Sequence, residues 1–318
     1  MTTPPAKIIL DCDPGHDDAL AILLAAGSPA VELLAITTVG GNQTLEKVTL
    51  NARRVCTVAG IRGVPVAAGC AGPLARPLET APEIHGETGL DGHDFPEPDV
   101  PLAGVHAVDL ILEILGREPA GTVTLVPTGP LTNLAVALRK DPHTFRRARE
   151  IVWMGGALGL GNVTPAAEFN AYVDPEAARA VFASGVPLAM HGLHLTHQVR
   201  VTESVRRRLR EMGTPVGRMA ADLMAFYTER YRRRFEMGDP PLHDPCAVAF
   251  VIDRSIFRTQ RMRVDVETRG EFTAGMTVCD VHGVTGRPAN AEVAMEIDVV
   301  RFWDMMFLAL AALPIQSS

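Results

Sequence analysis

The sequence predicts an α/β fold: an open, mostly parallel twisted sheet flanked by helices, with a mainly helical segment near residues 200–250. Two observations support this prediction. Short apolar runs typical of buried strands alternate with runs of helical periodicity along residues 7–190, which is the rhythm of β-α-β units. Glycine and polar residues follow four of the strand candidates, where open α/β sheets bind their ligands.

The individual elements follow from the same patterns in chain order. The segment 17–26 is a helix candidate because apolar residues recur at helical spacing from Ala19 to Leu24. Short apolar runs such as 7–11 indicate buried strands. Strands are predicted at 7–11, 31–39, 64–67, 123–126, 151–154 and 187–190, and helices at 17–26, 45–59, 105–115, 131–138 and 175–183.

The pattern changes after residue 197. Long helical segments rich in arginine are predicted at 203–212 and 216–234, followed by an apolar helix at 244–252. Alternating segments at 261–267 and 292–299 favour an antiparallel edge of the sheet. A closing helix is predicted at 302–313.

Composition limits the classes of protein that the chain can represent. Its 318 residues are 47% hydrophobic and 21% charged, which excludes a disordered protein. No linker is visible, so a single domain over 1–318 is predicted. A formal net charge of −7 argues against general nucleic-acid binding, which needs a basic surface. Small-molecule partners are therefore favoured.

Compartment and redox state are predicted from the termini and the cysteines. The five cysteines include no Cys-x-x-Cys pair, which argues against a disulfide framework or a thiolate zinc site. The N-terminus lacks the apolar segment of a signal peptide, and no apolar stretch is long enough to span a bilayer. We expect a cytoplasmic protein without membrane partners.

The densest chemical signal is a cluster of aspartates after the first strand. Asp11, Asp13, Asp17 and Asp18 lie within eight positions. Helix capping explains one or two acids at a helix start, but not four. Anions this close raise one another's pKa, so the cluster indicates a bound hard divalent cation or a catalytic use. Calcium and magnesium both take oxygen ligands, and the cluster alone leaves the choice between them open.

Two further polar segments follow later strands. Glu168 and Asn170, with Asn162 on a glycine-rich loop before them, offer donors and acceptors suited to a polyhydroxylated ligand. The alternative is a structural asparagine-rich turn. His243 and Asp244 precede an apolar helix, where Asp244 could cap the helix and His243 could be a buried core imidazole.

Six separated motifs together allow a family assignment. They are Asp11-Cys12-Asp13-Pro14-Gly15-His16-Asp17-Asp18-Ala19, Gly41-Asn42-Gln43-Thr44, Ile84-His85-Gly86-Glu87, Pro127-Thr128-Gly129-Pro130-Leu131-Thr132-Asn133, Glu168-Phe169-Asn170 and His243-Asp244-Pro245-Cys246. As a set they resemble the inosine-uridine preferring nucleoside hydrolase family, over essentially the whole chain. The resemblance implies a Rossmann-like fold and hydrolysis of ribonucleosides to ribose and free base, in nucleoside salvage or catabolism.

The resemblance also implies a metal site. It assigns a Ca²⁺ ion to the carboxylates of Asp13, Asp18 and Asp244 and to the backbone carbonyl of Thr128. This is an all-oxygen shell of the kind that calcium takes. Asp13 would in addition accept the proton of the attacking water, whose acidity the ion increases.

Substrate contacts are implied residue by residue. The resemblance gives the ribose 2′-hydroxyl to Asp17 and Asn170, and the 3′-hydroxyl to Asp244. It gives the 5′-hydroxyl to Asn162 with Glu168, and a supporting contact to Asn42. His243 matches the proton donor to the departing base, a role suited to an imidazole. The base pocket is matched by His85, Phe169, Tyr227 and Tyr231.

Several alternatives remain open at this stage. The tyrosine pair resembles the inosine–uridine subgroup, and the alternative is a pyrimidine-specific enzyme for uridine and cytidine. A haloacid-dehalogenase-like phosphatase would use Asp11 as nucleophile and Asp13 as acid. A nucleoside-binding module without turnover is the third hypothesis. The family is commonly dimeric or tetrameric, so a homo-oligomer is expected.

Some residues have no matched role. Asp11 is expected to order the aspartate loop, and His16 is left unassigned. Where the family usually has Gly-Leu-Asp, this chain has Gly192-Leu193-His194, and the run His191, His194 and His197 suggests either zinc or a local hydrogen-bond substitution. The arginine runs 206–208 and 230–234 are interpreted as solvated helix faces and not as a nucleic-acid surface.

Overall fold

A computed structural model describes residues 4–314. Its sheet has nine strands in the order β3-β2-β1-β4-β5-β6-β9-β7-β8. The pairs from β3 to β9 are parallel, and β7 runs antiparallel to both β9 and β8. The strands are β1 (Ala6–Cys12), β2 (Val31–Thr38), β3 (Val66–Ala68), β4 (Val123–Pro127), β5 (Glu150–Met154), β6 (Leu188–His191), β7 (Phe257–Val266), β8 (Thr277–Asp280) and β9 (Ala291–Ile297). The predicted α/β class and its antiparallel edge are confirmed.

Helices cover both faces of the sheet. They are α1 (His16–Gly27), α2 (Leu45–Val58), α3 (Pro82–His85), α4 (Ala107–Arg117), α5 (Thr132–Lys140), α6 (Pro142–Phe145), α7 (Phe169–Val173), α8 (Pro175–Phe182), α9 (Leu193–Thr196), α10 (Glu203–Glu211), α11 (Pro215–Phe235), α12 (Pro245–Ile252) and α13 (Val299–Ala312). The predicted helical segment near 200–250 is present as α10, α11 and α12. The sequence patterns missed α3, α6, α7 and α9, because four or five residues are too short to show periodicity.

Two hydrophobic cores hold the helices to the sheet. Side chains of β1 alternate between them: Ile8 and Leu10 belong to the core under α1, α12 and α13, whereas Ile9 belongs to the core under α4, α5 and α8. A strand buried on both faces explains why its sequence is continuously apolar. This sandwich fixes the carboxyl ends of β1, β4 and β5 along one edge.

Helix α11 supplies the wall opposite that edge. Thr214 caps its start by accepting from the Gly217 N–H at 3.0 Å, and the helix ends at Glu236 in the left-handed conformation, with φ of 58°. Tyr227 and Tyr231 are four residues apart and so lie on the same face of α11. Both tyrosines are buried.

The arginine runs divide into two groups. The interpretation as solvated faces fits Arg207, Arg208, Arg232 and Arg233, which are exposed and pair with nearby acids. It is wrong for Arg206, which is buried and donates to the Val201 carbonyl and to Asp239. Among residues 4–314, no helix is both long and apolar enough to cross a bilayer.

Candidate active site

A cavity of ≈ 200 Å³ opens at the carboxyl edge of the sheet and is closed on one side by α11. Its wall includes twelve of the fourteen residues that the sequence singled out: Asp17, Asn42, His85, Thr128, Asn162, Glu168, Phe169, Asn170, Tyr227, Tyr231, His243 and Asp244. The other two, Asp13 and Asp18, are fully buried. The structure therefore brings together residues that are up to 231 positions apart, from Asp13 to Asp244.

Three carboxylates converge at the cavity. Asp17, Asp18 and Asp244 each offer an oxygen within 4.8 Å of the others. Burial and then repulsion from Asp18 raise the pKa of Asp17 to about 7. Burial, followed by repulsion from Asp17 and Asp18, raises the pKa of Asp244 well above its usual value. Burial and mutual repulsion therefore disfavour the ionised forms of Asp17 and Asp244 unless a positive charge lies beside them.

Asp13 adds a fourth buried carboxylate. Its Oδ2 accepts the Asn42 N–H at 2.7 Å, but its Oδ1 has no hydrogen-bond partner among the described residues. Glycines allow the chain to pass close by, since a Cβ at Gly41 or Gly129 would lie 2.1 or 2.5 Å from a carboxylate oxygen of Asp13. A buried carboxylate oxygen without a donor fits a cation ligand.

Asp18 is held by hydrogen-bond donors from three segments. It accepts from the Gly15 N–H at 3.0 Å, from Asn42 Nδ2 at 3.2 Å and from Thr128 Oγ1 at 2.8 Å. The Thr128 carbonyl accepts from Asn170 Nδ2 at 2.7 Å. Carboxylates and a carbonyl make an oxygen-only set, which suits a hard divalent cation. The aspartates whose oxygens converge in the structure are Asp17, Asp18 and Asp244. The resemblance instead implied Asp13 as the third carboxylate beside Asp18 and Asp244.

The predicted 5′-hydroxyl residues also have structural partners. Glu168 caps α7, accepting N–H groups of Gly156 at 2.7 Å and Asn170 at 2.9 Å. Asn162 Oδ1 accepts the Phe169 N–H at 3.0 Å, so its Nδ2 is left for a ligand. Burial raises the pKa of Glu168 to about 7. The segment that carries Asn162, Glu168 and Asn170 is therefore both a structural turn and part of the cavity wall.

His243 is fixed by two hydroxyls. Its Nδ1 lies 2.7 Å from Thr196 Oγ1, and its Nε2 lies 2.9 Å from the Tyr231 hydroxyl. Burial lowers the pKa of His243 well below its usual value, and electrostatic interaction with His197 and Arg200 lowers it further. Asp244 occupies the N-cap position of α12 without a side-chain capping bond, so the cap interpretation is wrong.

Comparison with known proteins agrees with this arrangement. Residues 8–304 match the family model described as inosine-uridine preferring nucleoside hydrolase. The Leishmania major inosine-uridine preferring nucleoside hydrolase is 49% identical over 96% of this chain and 98% of its own length. The chain belongs to the inosine-uridine preferring nucleoside hydrolase family.

Other nucleoside hydrolases match closely as well. The pyrimidine-specific ribonucleoside hydrolase RihA of Shewanella woodyi is 47% identical over 98% of both chains. The solved purine-preferring ribonucleoside hydrolase from Gardnerella vaginalis superposes with a TM-score of 0.90 at 34% identity, covering 96% of this chain and 98% of that one. The relatives named inosine-uridine preferring and pyrimidine-specific therefore match this chain almost equally in overall sequence.

Asp11 lies beneath the site of this nucleoside hydrolase and does not line the cavity. Its Oδ1 accepts from Thr37 Oγ1 at 2.6 Å and from Asn133 Nδ2 at 2.8 Å. Burial raises its pKa to about 7. These bonds tie β1 to β2 and to the start of α5, which fits the expected role of ordering the aspartate loop.

The histidine run does not form a zinc site. His191 packs edge-on against Phe250, whereas His194 accepts the Leu158 N–H at 3.1 Å and contacts the Ala294 carbonyl at 2.9 Å. His197 faces His243 with ring centroids 5.7 Å apart. Within residues 4–314, the acidic and imidazole donor atoms that converge in threes are those of the aspartates.

No motif in the sequence identified Thr196 as a site residue. Thr196 belongs to the segment 192–197, whose departure from the family pattern drew attention only to its histidines. No local spacing relates Thr196 to His243, because they meet through tertiary contact across 47 positions. Seven further residues of the cavity wall had no assigned role in the sequence, although Ile84 lies in one of the six motifs and Arg234 in an arginine run: Ala81, Glu83, Ile84, Met154, Val163, Arg234 and Phe235.

Proposed function

We propose that this protein hydrolyses the N-glycosidic bond of ribonucleosides, of the inosine and uridine type, to ribose and free base. The observation that carries the proposal is the convergence of Asp17, Asp18 and Asp244 on a cavity that His243 and aromatic side chains also line. Acids at one end suit a polyhydroxylated sugar with developing positive charge. Aromatic rings and an imidazole suit a departing base.

The proposed metal is Ca²⁺, held by the carboxylates of Asp13, Asp18 and Asp244 and by the Thr128 carbonyl. The orphaned Oδ1 of Asp13 and the oxygen-only donor set support this assignment. When bound, the ion neutralises the buried carboxylates and increases the acidity of a bound water. Asp13 would accept the proton of the attacking water.

The sugar is oriented by residues on the cavity wall. We assign the 2′-hydroxyl to Asp17 and Asn170, the 3′-hydroxyl to Asp244, and the 5′-hydroxyl to Asn162 with Glu168. Asn42 supports the site through its contacts with Asp13 and Asp18. In this proposal the carboxylates stabilise an oxocarbenium-like ribose as the C1′–N bond breaks.

The leaving base receives its proton from His243. Hydroxyl oxygens at both ring nitrogens, from Thr196 and Tyr231, can each accept an N–H and so offset part of the cost of burying a protonated imidazole. Because burial lowers the pKa of His243, the protonated ring readily gives up its proton to the base. His85, Phe169, Tyr227 and Tyr231 line the space for the base. Nucleoside salvage or catabolism is the proposed context.

Incubation with uridine, inosine and a nucleoside monophosphate tests the proposal. Reducing sugar from the nucleosides supports it, and phosphate from the nucleotide would support the phosphatase. Burial of Asp11 away from the cavity already counts against a phosphatase nucleophile. Tight binding of a ribose analogue without any release of sugar would point to a binding module.

We also propose a single domain, a cytoplasmic location and a homo-oligomer, either a dimer or a tetramer. The family membership supports an assembly of identical chains. Analytical ultracentrifugation checks the assembly, and a mass of one chain at micromolar concentration would contradict it.

A further inference from the structure

His194 has no role in the proposed reaction, although it contacts a loop that forms part of the cavity wall. It is the second residue of α9 and is half-buried. Its Nδ1 accepts the Leu158 N–H at 3.1 Å, and its Nε2 lies 2.9 Å from the carbonyl oxygen of Ala294 in β9. Leu158 belongs to the loop 155–168, which leads from β5 to α7. The His194 ring therefore joins this loop to the sheet.

Both contacts of the ring require the same form of His194. A carbonyl oxygen can only accept, so Nε2 carries a hydrogen and donates it to Ala294. The Leu158 N–H can only donate, so Nδ1 is bare. Burial lowers the pKa of His194, which favours this neutral ring with a single hydrogen. The two hydrogen bonds are compatible, and together they fix the orientation of the ring.

The later part of the loop 155–168 carries the two residues assigned to the 5′-hydroxyl, Asn162 and Glu168. This part is closed on itself, because the Asn162 N–H donates to the Ala167 carbonyl at 3.1 Å and Asn162 Oδ1 accepts the Phe169 N–H at 3.0 Å. Asn162 is thus held within a turn. The position of that turn depends on how the chain enters it from the earlier part of the loop.

The earlier part of the loop is bonded to neighbouring segments. The Ala157 N–H donates to Thr277 Oγ1 at 2.8 Å, and the Leu158 N–H donates to His194. Within residues 4–314, the N–H groups of the next two residues, 159 and 160, have no hydrogen-bond partner. The bond to His194 is therefore the last one that holds the chain before it enters the turn.

This hydrogen bond directs the backbone and does not by itself keep the loop in place. The Leu158 side chain packs against the core under α4, α5 and α8, so the loop stays attached to the fold without His194. Beyond it, Gly159 has φ of 132° and open space where a Cβ would lie, so it restrains the chain little. The direction in which the chain leaves Leu158 is consequently set by the acceptor on His194.

We propose that His194 is a positioning residue for recognition of the substrate's 5′-hydroxyl. Its hydrogen bond to Leu158 sets the entry into the turn and thereby the place of Asn162 Nδ2, the atom left for a ligand. The aspartates of the site belong to other segments and do not depend on this bond. The inference deepens the proposed nucleoside hydrolysis and rests on it.

The test compares His194→Ala, His194→Asn and the wild-type protein. Alanine removes the acceptor, whereas asparagine can place its amide oxygen where Nδ1 lies. The matched control is His106→Ala, because Nδ1 of His106 also accepts a backbone N–H, that of Val108 at 3.2 Å, but His106 does not line the cavity. One measurement is kcat/KM on uridine and on 5′-deoxyuridine, which lacks the 5′-hydroxyl. The other is hydrogen–deuterium exchange at the Leu158 amide.

In His194→Ala, kcat/KM on uridine should fall about tenfold, which corresponds to the loss of one hydrogen bond. The value on 5′-deoxyuridine should stay nearly unchanged, and the Leu158 amide should exchange faster than in the wild-type protein. His194→Asn should restore both readouts towards the wild type. His106→Ala should leave the ratio of the two substrates and the exchange of Leu158 unchanged.

Equal losses on both substrates in His194→Ala, as a merely structural role would give, overturn the proposal. So does an unchanged activity on uridine, or an unchanged exchange at Leu158. Failure of the proposed function is distinguishable, because the wild-type protein would then release sugar from neither nucleoside, while the exchange of the Leu158 amide would still report the bond to His194.

Discussion

Replacing Asp13 by asparagine tests the link between the buried carboxylate and catalysis. Oδ2 of Asp13 accepts the Asn42 N–H, and the amide oxygen of asparagine can keep this bond. Oδ1 has no partner, and the amide nitrogen that replaces it would be buried without an acceptor. That costs about 1–3 kcal/mol. Burial and repulsion from Asp18 already raise the pKa of Asp13 well above normal, so removing the charge offsets part of this cost.

The same substitution should nearly abolish turnover. A general base contributes about 10²–10⁴ to the rate, which is about 3–5 kcal/mol of barrier at 1.36 kcal/mol per tenfold. We expect the kcat of Asp13→Asn on uridine to fall by at least about a hundredfold, with the melting temperature close to that of the wild-type protein. Reducing-sugar release gives the rate, and thermal denaturation checks the fold. A folded variant with near-normal turnover would refute the assignment of Asp13 as metal ligand and base.

Three further predictions follow from the site. In His243→Ala the kcat on uridine should fall by a factor of about 10²–10⁴. The kcat on p-nitrophenyl riboside should fall much less, because its leaving group needs no proton. Equal losses on both substrates would contradict the proton-donor role. Chelation of the metal should lower the melting temperature, because the negative charges of the buried carboxylates are then no longer compensated. Ca²⁺ at a thousandfold excess over its Kd should restore about 4 kcal/mol of unfolding free energy. A melting temperature that responds to neither chelator nor Ca²⁺ would argue against the ion. Gly41→Ala should impair activity, since its Cβ would lie 2.1 Å from Asp13 Oδ2, whereas Gly104→Ala meets nothing within 4 Å and should behave like the wild-type protein.

Local sequence was sufficient for eight of the nine strands, for the long helices and for the aspartate loop, whereas the four-residue strand β8 was not predicted. Continuous apolar runs mark strands buried on both faces. Asp13, Asp17 and Asp18 lie between the end of β1 and the first turn of α1. Burial of single polar side chains was harder to predict. Arg206 looks like its neighbours in sequence, but it turns inward because Asp239 and the Val201 carbonyl accept from it.

The sequence by itself determined the fold class, the family and twelve side chains that the structure brings to one cavity. Short-range periodicity predicted the elements and the fold class, whereas the family and these side chains were implied by the resemblance of the motifs to a known family. Only the tertiary structure decided how those side chains are held. The contacts of His16 with His85, and of Thr196 with His243, span 69 and 47 positions. Such contacts arise from the packing of separate elements, and so does the orphaned oxygen of Asp13.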